Sequence, residues 1–123
     1  MIYLSSPYTD PSLEVRAWRF CAACQAAAHL MRSGHVVFSP VAHTHPISLF
    51  GLPTDWGFWE RQDRSLLERC DELVVLMLDG WRESVGVQAE IQIATELGIP
   101  TRYWNPDDEF GVTLGRVAAE AES

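Results

Sequence analysis

The chain has 123 residues, 47% of them hydrophobic, and a formal net charge of −8 from 17 acidic and 9 basic side chains. That length and composition fit one globular domain with a buried core. The acidic balance, with no Lys/Arg run, argues against a general surface for a nucleic-acid polymer or an anionic membrane, both of which need a cationic footprint. A small anionic ligand stays open, because local arginines or helix N-termini can hold one. No apolar run approaches the roughly 18 residues of a spanning helix, and the N-terminus lacks a basic-then-apolar leader pattern. Cys21 and Cys24 fall inside an Ala-rich helix without the strand and turn of a redox motif. With Cys70 they read as buried small thiols, and a cytoplasmic location is the default.

Taken in order, Met1 to Leu4 form a short apolar strand that Ser5-Ser6-Pro7 ends. Asp10-Pro11 supplies an N-cap with proline at the first helical position. The helix continues through Val15, Trp18, Cys21, Ala22 and Ala26 to Met31, and Ser33-Gly34 closes it. Its alanines allow close approach to a sheet. Val36 to Phe38 form a second strand. Residues 39–57 are rich in Pro, Gly and His, and read as a long loop of the kind that is usually functional or a lid. Thr54-Asp55 cap a helix that reaches about Cys70. Leu73 to Leu78 show no alternation, which marks a strand covered on both faces. Asp79 to Glu83 are the loop beyond it, Ser84 caps the next helix, and Gly98-Ile99-Pro100 stop it. Thr101 to Trp104 give a fourth strand, and Phe110 to Ala121 a last helix.

Alternation of strand and helix implies an α/β three-layer sandwich, a flavodoxin-like or Rossmann-like parallel sheet with helices on both faces. Strand order 2-1-3-4 puts the reversal between the first and third strands. Ligands in such sheets bind outside the carboxyl ends at that reversal. Ser5, Ser6 and Tyr8 after the first strand, and Asp79, Trp81, Ser84 and Gly86 after the third, are therefore candidate ligand contacts.

Two acids break the apolar pattern. Val87, Ile91, Ala94 and Leu97 follow helical three-four spacing, and Glu90 lies on that stripe. Asp63 follows Trp59 by four residues and precedes Leu66 and Leu67, so it too leans inward. Asp71 sits at the opposite edge of the sheet and reads as a turn or capping residue. A pair of buried carboxylates suits displacement at an anomeric carbon, where one attacks or stabilises the oxocarbenium-like state and the other manages protons. Burial and mutual repulsion would hold a proton on one of them near neutrality.

The run Ser84-x-Gly86-Val87-x-x-Glu90, followed by Ile91, Ala94 and a Leu-Gly-Ile-Pro exit, resembles the signature of the nucleoside 2-deoxyribosyltransferases and the related deoxynucleoside 5′-monophosphate N-glycosidases. The resemblance implies that Glu90 is the nucleophile. It makes Asp63, eight residues before Asp71 in a Gln62-Asp63 context, the assisting acid, and Tyr3 the group that orients Glu90. It maps Ser84 to a contact with base or phosphate. It further implies a homodimer or larger assembly with a nucleoside or nucleotide as the small-molecule partner. The turn Ser6-Pro7-Tyr8-Thr9 lacks the arginine of the phosphate-requiring glycosidases, and Arg82-Glu83 alters the family's usual approach to Ser84.

Competing structural readings pair Glu90 with Arg102 or Arg64, and Asp63 with Arg61 or Arg64. Trp56, Trp59 and Trp81 either stack on a base or cap the core. His43-x-His45 has no third fixed ligand apart from Asp55, so no metal is expected, and no cofactor. The sequence therefore favours cleavage or transfer of an N-glycosidic bond; the alternative is a non-catalytic module that binds a nucleotide derivative.

Overall fold

A computed structural model describes residues 1–106; the helix expected over residues 110–121 lies outside them. The elements in chain order are β1 (Ile2–Ser5), α1 (Leu13–Arg32), β2 (Val37–Phe38), α2 (Pro40–Ser48), α3 (Trp56–Leu67), β3 (Glu72–Leu76), α4 (Val85–Leu97) and β4 (Thr101–Trp104). All four strands are parallel and lie in the order β2-β1-β3-β4. This is the expected α/β sandwich, with the reversal between β1 and β3.

The unbroken apolar run of β3 is explained by its two covers. On one face Ala22, Ala26 and Ala27 of α1 pack against Ile2, Leu4, Val74 and Leu76; the small side chains let the helix lie close to the sheet. On the other, Leu67 of α3 and Val87, Ile93 and Ala94 of α4 pack against Tyr3, Leu73 and Val75. Each deeply buried aliphatic side chain contributes roughly 1.5–3 kcal/mol, so these two layers carry the fold.

Several boundaries differ from the sequence reading. Ser12, not Asp10, caps α1, its hydroxyl accepting from the Val15 N–H at 3.3 Å. The Asp10 carboxylate turns back to accept from the Ser12 N–H at 2.9 Å, the local bond that makes aspartate a turn former. β2 begins at Val37, α3 ends at Leu67, and β3 spans Glu72–Leu76.

The largest departure is α2, inside the stretch expected to be a loop. Ser39 caps it by accepting from the Ala42 N–H at 3.2 Å, and Pro40 takes a first-turn position where no N–H is needed. Pro46 lies within the helix and removes one helical bond.

On α4 the inward stripe is Val87, Glu90, Ile93 and Ala94, while Leu97 is exposed. Gly98 (φ 72°) ends that helix in the left-handed conformation. The thiols are not uniformly buried: Cys70 is, Cys24 is half-buried, and Cys21 is exposed on the outer side of α1. Asp71 is exposed and pairs with the amino group of Met1, at the edge of the sheet where it was expected. No described helix is long and apolar enough to cross a membrane.

Candidate active site

Two loops and two helices meet at the carboxyl ends of β1 and β3. Ser84 caps α4 by accepting from the Val87 N–H at 3.2 Å, which fixes the first turn. Two turns on, Glu90 is 4% exposed. Its Oε1 accepts from the Ser5 hydroxyl at 2.8 Å, and its Oε2 accepts from the Tyr3 hydroxyl. Both donors come from β1, because adjacent positions of interest on a strand alternate faces and Tyr3 and Ser5 share one. The sheet thus holds the carboxyl of a helix residue from below.

Asp63 of α3 is 6% exposed, and its Oδ1 has no hydrogen-bond partner among the described residues. Asp63 and Glu90 both line a cavity of about 370 Å³. Ser6, Tyr8, Ser84 and Gly86 line it too, which brings most of the residues singled out in the sequence to one place. The Ser6 hydroxyl is buried and without a partner among the described residues.

The arginine pairings weighed for the two acids are not found. Arg102 reaches Glu72 instead, its Nε 2.8 Å from Oε1. With no cation beside them among the described residues, the acids respond to burial. Loss of solvation pushes Asp63 up to about 7. The same loss pushes Glu90 up to about 8; donation from Tyr3 and Ser5 opposes it, and the charge of Asp63 adds to it. Tyr3 is pushed well above the ordinary tyrosine value by burial and the two neighbouring acids, so it stays a hydrogen-bond donor.

Two of the residues expected to contact a ligand lie off this cavity. Asp79 is exposed, and its backbone carbonyl accepts from Arg19 at 3.3 Å. Trp81 packs beside Tyr103 with ring centroids 5.7 Å apart, and Arg82 covers its ring. Neither lines the cavity, because the chain turns at Gly80 (φ 90°) and rejoins the wall only at Glu83.

Other lining groups escaped the sequence reading. Pro40, Val41 and Thr44 of α2 form one wall, and Thr54 and Asp55 at the entry of α3 form the rim; Trp56 and Trp59, two of the three tryptophans weighed as stacking surfaces, line it as well. The Ser39-Pro40 pair is the signal that marks α2, since it is a cap followed by an N-terminal proline. Trp59 lines the cavity and donates from Nε1 to the Pro53 carbonyl at 2.8 Å, so it is both wall and brace. His43 and His45 part company: His43 bonds Gln62 at 2.9 Å beside an outer groove, while His45 is buried against Tyr8. No group of three or more metal-ligating side chains occurs among the described residues.

Fold and site together define a parallel α/β domain with paired buried acids at the mouth of its sheet. A family model described as a domain of unknown function, DUF1937, matches residues 1–105, and the chain belongs to that family. No curated protein matches the chain.

Proposed function

We propose that this protein cleaves or transfers the N-glycosidic bond of a (deoxy)nucleoside or nucleotide, with Glu90 as nucleophile. The observation that carries the reading is the unequal treatment of two buried acids on one cavity: Glu90 receives two hydroxyl donors, whereas Asp63 Oδ1 receives none. Donors favour the anion. Burial opposes them, raising Glu90 to about 8 against about 7 for Asp63; the reaction draws on the arrangement that the two donors stabilise, with the proton on Asp63 and Glu90 charged.

That arrangement suits the reaction. A Glu90 oxygen bonds to the anomeric carbon as the bond to the base nitrogen breaks. Asp63 gives its proton to the departing base, and Tyr3 and Ser5 orient the attacking carboxylate. Water or a second base, deprotonated by Asp63, then displaces Glu90 from the sugar. Trp56 and Trp59 supply flat apolar surface for a base. The resemblance that suggests this chemistry also suggests a homo-oligomer, which light scattering at working concentration checks.

The test is incubation with a panel of (deoxy)nucleosides and their monophosphates, with released base read by chromatography. Release is expected from wild type and not from Glu90→Ala. Thermal stabilisation by the same compounds with no base released would replace the enzyme with a binding module.

A further inference from the structure

The acids and the α2 wall of the cavity are shielded, whereas its rim is not. Glu90, Asp63, Val41 and Thr44 are each 6% exposed or less, while Thr9 and Asp55 are exposed. What reaches the acids is therefore set by how the rim is held. One half of the rim is fastened to the body of the fold. Arg19 of α1 donates to the carbonyls of Tyr8 and Thr9 in the loop after β1, and to that of Asp79 in the loop after β3.

The other half is residues 49–55, a strap between α2 and α3. Little packs against its tip. Phe50 is 90% exposed, Leu49 is exposed as well, and a Cβ added at Gly51 (φ 91°) would meet no atom within 4 Å. Two side chains hold the strap where it nears the cavity. Trp59 Nε1 donates to the Pro53 carbonyl at 2.8 Å, which ties the strap to α3, the side of the rim it already belongs to. The Thr9 hydroxyl donates to the Thr54 carbonyl at 2.7 Å, and this bond joins the two halves. Thr9 and Thr54 both line the cavity.

A single solvent-exposed hydrogen bond has a small net worth, enough to favour the joined rim and weak enough to open often. We propose that the Thr9–Thr54 bond is the latch of the cavity mouth and that the strap is its gate. A ligand passes when the bond opens and the strap leaves the rim, and it is enclosed when the bond forms again. The gate deepens the reading above, resting on the cavity taking a ligand and not on which bond is cut.

Access is read with a thiol on the shielded wall, so no nucleoside enters the measurement. Thr44→Cys is placed in a chain carrying Cys21→Ser and Cys24→Ala, and its modification by N-ethylmaleimide is followed by mass spectrometry. Cys70, buried and away from the cavity, reports global opening in the same sample. Where opening and closing outpace modification, the rate tracks the open population. Thr9→Val keeps the side-chain shape without the donor and should speed modification of the Thr44→Cys thiol about three- to tenfold, the effect of one exposed hydrogen bond. Thr9→Ser should restore the parental rate, and Cys70 should react no faster in either variant. Ser6→Cys, on the loop after β1, gives the same reading from another wall if Thr44→Cys does not fold. Deuterium exchange locates the motion: amides of residues 49–58 should exchange faster in Thr9→Val, and those of β1 and α1 should not. Equal modification rates with and without the Thr9 hydroxyl, a Cys70 rate that rises in step, or faster exchange confined to the loop after β1 overturns the gate. Base release is scored separately: its absence sinks the glycosidase and leaves the gate standing, and a failed gate leaves base release untouched.

Discussion

Tyr3 and Ser5 hold the two oxygens of Glu90, and that arrangement can be taken apart one donor at a time. Tyr3→Phe keeps the ring in its packing against Phe38 and removes only the hydroxyl. If Tyr3 orients and stabilises the reactive carboxylate, kcat should fall by about ten- to a hundredfold, with KM little changed. Loss of that donor also pushes the Glu90 pKa higher, so the pH profile of kcat/KM should shift upward on its basic-form limb. An unchanged profile with an unchanged kcat would leave Tyr3 as packing only. Asp63→Asn keeps the shape of the side chain but has no proton to give the leaving base, and should lower kcat by roughly a hundred- to ten-thousandfold. Glu90 and Asp63 were legible because an acid on an apolar helical stripe breaks a periodic pattern. Tyr8 and His45 stand 37 residues apart with no shared period, so nothing in the sequence pairs them. Asp79 and Trp81 fall off the cavity for the opposite reason: adjacency to a strand end says which loop a residue occupies, not which way a turn at Gly80 sends it.

The elements set how rigidly those residues are presented. Arg19 of α1 donates to the carbonyls of Tyr8, Thr9 and Asp79, tying the loop after β1 to the loop after β3 across the mouth of the sheet. Gly80 makes room for it: a Cβ there would sit 2.7 Å from Arg19 Nη2, at a backbone φ of +90°. Gly80→Ala should therefore destabilise by about 1–2 kcal/mol from the backbone strain alone, and displace Arg19 as well. Urea denaturation measures the first effect, and weakened binding of the nucleotide probes the second; a full-stability variant would show that the turn relaxes freely. Ser84→Ala removes the cap of α4 and should lower stability by about 1 kcal/mol, with Ser84→Asp restoring it. Strands and the three long helices were readable from their periodicity, with capping in agreement for α3 and α4. α2 was not, since Pro46 and the small apolar face of a nine-residue helix look like loop composition. Its cap alone announced it. The strand order followed from the crossover rule and the reversal, which need no side-chain detail.

For the whole molecule, two neutral acids inside the fold make stability depend on pH in an unusual direction. In the unfolded chain both carboxyls ionise in the ordinary acidic range. Folded, Asp63 keeps its proton to about 7 and Glu90 to about 8. Between those limits the native state binds more protons than the unfolded state, so the free energy of unfolding falls as pH rises. The contribution is fully present below the ordinary carboxylate range and lost by the time pH passes about 8. Urea midpoints should accordingly be lower at about pH 8.5 than at about 5.5, with the slope of the transition unchanged. The remaining acidic excess of a chain whose formal charge is −8 would also gain from losing charge on acidification. Neutral replacements separate the two causes. Asp63→Asn and Glu90→Gln each leave the exposed acids untouched, so surface repulsion predicts the same pH slope in the variants as in wild type. Buried protonation predicts a flatter slope in each and the flattest in the double variant, with both singles more stable than wild type at the alkaline end. Such a gain on removing a functional acid is what a site that trades stability for reactivity would show. A wild-type midpoint that rises or stays level from pH 5.5 to 8.5 would mean that the two carboxyls ionise freely in the folded protein, and that neither is the proton store the reaction needs.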